Sequence, residues 1–266
     1  MDVGDGVDGI AVGDRVAVDP NLHCGECAAC GKGLHNLCER LEAYGVTTNG
    51  GFAEYSIVAD HAVTPIGDLS ASRAALAEPL GCVLNGLSTI NFAGKVRAAV
   101  VGAGPIGMLM ALAIEARGLD DVTMIDIDPD KLRFAEGFGL NPIEPGSDEY
   151  RGSVRSFDLV VDATGSTKVA GEVVGLTANG GSALLFGVCP PGEKIEIEPN
   201  ELFRRQISVG GSHSLNHNIA ESLGVIEQIG DRLDRLVSHQ LPLDEVARSL
   251  TADKPTSTMK VQYVPA

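Results

Sequence analysis

Four of the six cysteines fall in one short stretch, CGECAACGKGLHNLC, spanning residues 24–38. Cys24, Cys27, Cys30 and Cys38 follow the pattern C-x2-C-x2-C-x7-C. Pairs two residues apart can curl a short loop around one tetrahedral ion, and four thiolates at about 2.3 Å fill every position of a Zn²⁺ shell. A closed shell cannot activate water or a substrate oxygen, so the pattern predicts a structural zinc that replaces core in a loop-rich lobe. Disulfides and an iron–sulfur cluster stand as alternatives. The first lacks a secretory context, and the second lacks the Cys-Pro ending of ferredoxin-type runs. His23 and His35 flank the cysteines and read as surface residues, because four thiolates already suffice. Cys82 and Cys189 read as small buried apolar residues.

A second stretch with chemistry is VVGAGPIG. Gly102, Gly104 and Gly107 make G-x-G-x-x-G, with Pro105 and Ile106 between the last two. An apolar strand precedes it and a helical stretch follows, which is the setting in which this pattern binds a dinucleotide. The first glycine allows the tight turn, the second lets backbone approach the pyrophosphate, and the third lets helix and strand pack closely. The phosphates then meet the helix N-terminus. Asp126, nineteen residues after Gly107, ends the next strand and is placed to accept hydrogen bonds from the adenosine ribose. A carboxylate there repels a 2′-phosphate, so NAD is expected over NADP. Lys131 could reach the same ribose. Phe186, Gly187 and Val188 end a later strand, at the carboxyl edge where such sheets bind ligands.

The elements that must position these residues alternate. Strand RAAVV leads to helix IGMLMALAIEARG, strand DVTMIDID, helix PDKLRFAEGFG and strand FDLVVDATG. A Gly-interrupted helix around VAGEVVGLTANGG, strand SALLFGV and QISVGGS complete the series. This alternation predicts parallel βαβ units in a doubly wound α/β sheet. Residues 1–66 read as short strands and turns, with GIAVGDRVAVDP and GGFAEYSIVADHAVTPI as strand regions. LSASRAALAEPLGCVLNGLSTI reads as helical, with Ser70 or Ser72 as N-cap. A helix from Asn216 leads to a short mixed tail.

Composition excludes some classes. The net charge is −16, from 20 basic and 36 acidic residues, which argues against a nucleic-acid partner. With Arg outnumbering Lys, 13 to 7, the acid excess suggests a halophile whose self-repulsion is screened by salt. The uncharged run at residues 98–114 is short of the roughly 18 residues of a membrane span and holds three glycines and a proline. No secretory signal is visible, so the chain is expected to be cytoplasmic.

With both motifs in one chain, the sequence resembles the medium-chain, zinc-dependent alcohol and polyol dehydrogenases. The stretches VGDRVAVDP, CGECAACGKGLHNLC, GGFAEY, AEPLGC, VGAGPIG, DIDPDKL and DATG carry the resemblance, which runs from about residue 8 to 262. AEPLGC is similar to the sorbitol, threonine and sugar-alcohol-phosphate branch. The resemblance implies a partial GroES-like catalytic barrel with the zinc lobe at 1–75, a Rossmann NAD domain at 76–214, and a return to the catalytic domain at 215–266. It implies hydride transfer between a secondary alcohol and NAD, assisted by a catalytic zinc. Thr164 and Gly165 would line the nicotinamide side, and Glu78 would contact the catalytic zinc directly or through water. Pairing through the edge strand, SALLFGV or QISVGGS, would give a homodimer or homotetramer.

One departure stands out. The family's first zinc ligands, a Cys and a Gly-His-Glu, precede the four-cysteine lobe, whereas this chain opens with MDVGDGVDGIAVGDRV and has no Cys or His before His23. The expectation is an N-terminally shortened chain with impaired turnover. The alternative is a non-catalytic NAD- and zinc-binding protein. His213 and His217 read as polar surface residues.

Overall fold

The structure, a computed structural model, describes residues 2–251 and 258–265. The chain divides into two compact units at residues 82/83 and 213/214. The first unit takes the chain before residue 83 and most of the chain after 213, and the second takes the middle.

In the first unit, strand β1 (Val16–Val18) pairs antiparallel with β4 (Val63–Pro65), and β2 (Asn21–Leu22) pairs antiparallel with β3 (Glu42–Ala43). The cysteine lobe is the loop between β2 and β3, so that short ladder closes its base. The expected helical stretch is two helices, α1 (Ala71–Ala74) and α2 (Ala77–Ser88). Ser70 caps α1, accepting from Arg73 N at 3.2 Å.

The second unit holds strands β5 (Arg97–Val101), β6 (Asp121–Ile125), β7 (Asn141–Ile143), β8 (Phe157–Asp162), β9 (Thr177–Leu185) and β10 (Ser208–Gly211). Between them lie helices α3 (Pro105–Ala116), α4 (Pro129–Glu136), α5 (Asp148–Gly152), α6 (Thr167–Leu176) and α7 (Pro199–Arg205). All six strands are parallel in the order β10-β9-β8-β5-β6-β7. That is the doubly wound order, and it reverses between β5 and β8, where such sheets open a ligand crevice. The core is aliphatic, as the scarcity of aromatics requires. Val160, Val173, Ala183 and Ile125 are buried around Phe157, and α3 buries an unbroken run from Gly107 to Ile114. A helix buried on every side needs no polar face.

The chain then returns to the first unit with α8 (Ile219–Ile229), β11 (Val237–Leu241), α9 (Leu243–Thr251) and β12 (Lys260–Tyr263). Strands β11 and β12 pair in parallel, and α9 packs on β12. Buried Gln262 ties β12 to the start of α1, donating to Ser72 O at 2.7 Å and accepting from Ser72 Oγ at 2.8 Å.

Two stretches differ from their sequence pattern. Of GGFAEYSIVADHAVTPI, only residues 63–65 form a strand, and Phe52, Tyr55 and Ile57 are exposed. An alternating pattern makes a strand only where a neighbour takes its backbone hydrogen bonds, and among the described residues none pairs there. In VAGEVVGLTANGG the helix stops at Leu176, because Thr177 is already extended and begins β9. Gly180, at φ 75°, carries the irregularity where β9 meets β8.

Candidate functional site

The crevice of the second unit is built from the turn after β5. Gly102 has φ 104°, a left-handed conformation that favours glycine. Its N–H donates to Ile125 O at 2.7 Å, tying the turn to β6. A Cβ on Gly107 would lie 1.7 Å from Gly102 O, so the first turn of α3 touches the strand end directly. A Cβ on Gly104 would meet nothing within 4 Å. Gly104 is the N-cap of α3 without a side-chain cap, and Pro105 opens the helix. The remaining N–H groups of that end are the donors a pyrophosphate takes. A dinucleotide therefore fits a cradle that is open at the one glycine where a ligand must approach.

Asp126 follows β6 and is held by the turn itself. Its Oδ2 accepts from Ala103 N at 2.7 Å, and its Oδ1 from Asp128 N at 2.9 Å. The carboxylate is thus locked beside the glycine turn with a fixed orientation. Lys131, half-buried in the first turn of α4, lies one turn further along.

Thr164 forms the other lip. A Cβ on Gly102 would sit 2.9 Å from Thr164 Cγ2. Asp162, fully buried at the end of β8, accepts from Thr164 N at 2.8 Å and from Thr164 Oγ1 at 2.6 Å through its Oδ1. Its Oδ2 is buried with no hydrogen-bond partner. The end of β9 is locked on the same residue, since Phe186 N and Gly187 N both donate to Asp162 O. Gly165 and Gly187 meet backbone to backbone, a Cβ on Gly187 falling 2.1 Å from Gly165 N. Val188 beside them is exposed. The structure thus brings Gly102, Gly104, Pro105, Ile106, Gly107, Asp126, Thr164, Gly165, Phe186, Gly187 and Val188 to one end of one sheet.

In the first unit, Cys24, Cys27, Cys30 and Cys38 converge. Sulfur separations are 3.4 Å for Cys27–Cys30, 3.5 Å for Cys24–Cys38, and 3.9 Å for Cys24–Cys30 and Cys27–Cys38. A tetrahedral ion with bonds of about 2.3 Å needs sulfurs about 3.8 Å apart, and all four cysteines are free of disulfides. Backbone N–H groups of Cys24 and Arg40 donate to Cys38 Sγ at 3.3 Å. The thiols differ sharply: the Glu26 backbone N–H draws Cys24 down to about 6, whereas burial pushes Cys30 up to about 12. Four thiolates so close need a cation between them, and this donor set fits zinc. Asn216 clamps the lobe, accepting from His35 N at 3.0 Å and Asn36 N at 3.4 Å and donating to Gly33 O at 2.9 Å.

Glu78 lies in the first turn of α2, half-buried, one turn before Cys82. Cys82 Sγ donates to Glu78 Oε1 at 3.5 Å, and burial, with the Glu78 charge second, pushes the Cys82 thiol up to about 12. Cys82 is thus a polar neighbour of Glu78 and not a purely apolar filler. Among the described residues, Glu78 belongs to no group of three convergent metal donors. Two donors do not hold a catalytic zinc, for which three protein ligands are usual.

His23 and His35 are half-buried rather than on the open surface, and their rings meet that of His217. Sequence spacing could not reveal this, because His217 joins from the far end of the chain.

The chain matches the family model for the alcohol dehydrogenase GroES-like domain over residues 1–68 and that for the glucose dehydrogenase C-terminus over residues 73–262. It is 51% identical over 258 residues to D-altritol 5-dehydrogenase of Agrobacterium fabrum, covering 94% of this chain and 76% of that one. The chain belongs to the zinc-dependent medium-chain alcohol and polyol dehydrogenase family. D-arabinitol dehydrogenase 1 of Uromyces fabae is 28% identical, over 98% of this chain and 78% of its own length. A structure from Sinorhizobium meliloti 1021, assigned as a zinc-binding dehydrogenase and bound to NADP, superposes with a TM-score of 0.93 at 29% identity. That likeness covers 99% of this chain and 80% of the other. Membership makes the chain an oxidoreductase of Rossmann plus GroES-like architecture.

Proposed function

We propose that the chain binds NAD at the β5/β8 crevice and serves hydride transfer between NAD and the secondary alcohol of a polyol. The observation that carries the reading is Asp126, fixed by two backbone N–H groups beside an open glycine cradle. NAD, when bound, supplies the acceptor for the hydride leaving the carbinol carbon. The protein's part is placement. The N-terminal N–H groups of α3 receive the pyrophosphate, Asp126 takes the ribose hydroxyls, and Thr164, Gly165 and the Phe186–Gly187–Val188 edge line the nicotinamide side. The polyol class follows from the 51% identical altritol dehydrogenase and from the arabinitol dehydrogenase.

NAD over NADP follows from the fixed negative charge at Asp126, although the Sinorhizobium relative was solved with NADP. Lys131 is the residue that would favour the phosphate. Calorimetric titration of both cofactors tests this. We expect NAD to bind at least about tenfold tighter, and Asp126→Asn to narrow that gap, as loss of a bidentate hydroxyl partner costs on the order of 1–3 kcal/mol. Tighter binding of NADP by the unmodified protein would overturn the assignment.

A second reading has its own observation: among the described residues, Glu78 and Cys82 fall short of the three protein ligands usual for a catalytic zinc. In that reading the chain binds NAD and the lobe zinc without turnover. A polyol panel with NAD⁺ separates the two, since oxidation of any member removes the second.

No helix among the described residues is long and apolar enough to cross a membrane. A salt-adapted protein is the reading that the acidic, Lys-poor composition supports. Pairing into a homodimer through a sheet edge would use β10, because β9 lies between β8 and β10. Sedimentation of a monomer at all concentrations would remove that proposal.

A further inference from the structure

Apart from the four cysteines, one other group of metal donors converges among the described residues. His23, His35 and His217 present ring nitrogens that all lie within 4.8 Å of one another. Their ring centroids are 4.3 Å apart for His23–His35 and 4.7 Å for the pairs with His217. The planes are inclined at 59°, 84° and 76°, so the rings do not stack.

The surroundings are built, not accidental. His23 follows β2, His35 sits in the lobe's 3-10 turn, and His217 comes from the loop before α8 with a left-handed backbone, φ 57°. A non-glycine residue is seldom found there without something to hold it. His35 Nδ1 is buried and has no hydrogen-bond partner. Asp19, 5% exposed, accepts from Asn21 N at 2.9 Å through Oδ1. Its Oδ2 is buried without a hydrogen bond and lies 3.5 Å from His217 Nδ1. A buried ring nitrogen without a hydrogen bond, beside a buried carboxylate oxygen whose contact with His217 is no closer than 3.5 Å, leaves bonding capacity unused in one cluster.

We propose that His23, His35 and His217 hold a divalent first-row transition cation of the zinc type, with Asp19 supplying the buried negative charge. Imidazole donors suit zinc, cobalt or nickel, whereas calcium and magnesium want an all-oxygen shell. Bonds of about 2.0–2.1 Å to nitrogen place tetrahedral donors about 3.4 Å apart. The nitrogens, all within 4.8 Å of one another, would have to close by at most about 1.4 Å to reach that spacing. The ion is separate from the lobe zinc, since it uses none of Cys24, Cys27, Cys30 or Cys38, and separate from Glu78. Two of its ligands lie in the lobe segment and the third lies beside Asn216, so it would fasten that segment to the returning chain. The proposal does not depend on NAD binding or on turnover.

The test is titration with Co²⁺ of the full chain carrying one equivalent of zinc, enough for the four cysteines alone, read by visible absorption and metal analysis. The expected result is one further equivalent of Co²⁺ with d–d bands and no thiolate charge transfer, because its donors are nitrogen and oxygen. His217→Asn keeps a residue that tolerates the left-handed backbone but removes the imidazole. His23→Gln removes a second ligand by an independent change. Each is expected to weaken Co²⁺ uptake at least about tenfold, the lower end of what even an outer-shell change costs, with the lobe zinc retained and the unfolding curve in place. Absence of a further equivalent would overturn the proposal. So would uptake unchanged in both variants, or a further equivalent carrying thiolate charge transfer, which would place the ion at a cysteine.

Discussion

Gly104 and Gly107 lie three residues apart in one turn, yet the same substitution should fail in different ways. At Gly107 a methyl group would enter the Gly102 carbonyl at 1.7 Å, a backbone atom that cannot yield cheaply. Gly107→Ala is expected to destabilise the second unit by at least about 1–3 kcal/mol, the usual cost of overpacking. At Gly104 the methyl group meets open space in the protein but would occupy the place proposed for the pyrophosphate. Gly104→Ala should leave the urea midpoint unchanged while weakening NAD. Equal loss of stability in both variants would contradict this division of labour. The glycine spacing was legible in the sequence because the turn is local. The pairing of Cys82 with Glu78 sits one helical turn apart and could have been seen, whereas the histidine cluster could not, since His217 is separated from His23 and His35 by most of the chain.

Elements show the same contrast between local and distant causes. The order of β5, α3, β6, α4, β8, α6, β9 and β10 follows from apolar runs punctuated by glycine and proline, so it could be read directly, whereas the short β7, α5 and α7 carry too little pattern to be read. The irregular course of residues 45–58 could not, because whether an alternating stretch becomes a strand depends on a partner that sequence does not name. The cysteine lobe is an element that Asn216 braces and whose four cysteines would hold zinc. Asn216→Ala removes the acceptor of the His35 and Asn36 N–H groups, at a cost of about 1–3 kcal/mol. Chelation of the lobe zinc is expected to open residues 24–38 to proteolysis while NAD binding persists, since the crevice belongs to the other unit. Loss of NAD affinity on chelation would be the contrary result. Helix α1 is held to the 3-10 turn after α8 by Arg73, which grips Asp234 through Nε at 2.7 Å and a second nitrogen at 2.5 Å. Arg73 keeps the Asp234 carboxyl below the ordinary 3.8. A carboxyl lowered in the folded state favours folding above its unfolded pKa, and the gain disappears as pH falls through the folded value. Asp234→Asn should therefore lower Tm by no more than about 2–4 °C at neutral pH, the small effect of a half-exposed pair, and by less below pH 4. A constant difference across that range would argue that shape, not charge, is responsible.

On the scale of the whole molecule, −16 charges on 266 residues repel one another over a Debye length that shrinks from about 10 Å at 0.1 M salt to about 3 Å at 1 M. Thermal melting between about 0.1 M and 1 M KCl is expected to move upward, and a flat or falling Tm would remove salt adaptation from the account. The division of the chain has a further outcome for its birth on the ribosome. The six parallel strands arise from one continuous segment, so that sheet can close as soon as residue 211 has emerged. The first 82 residues cannot finish in the same way. Asn216, His217, Asp234 and Gln262, which hold them, are translated only after all of residues 83–213. Of these segments the one synthesised earlier is therefore completed later, and its thiols wait until residues 83–213 have been made before the clamp that secures them exists.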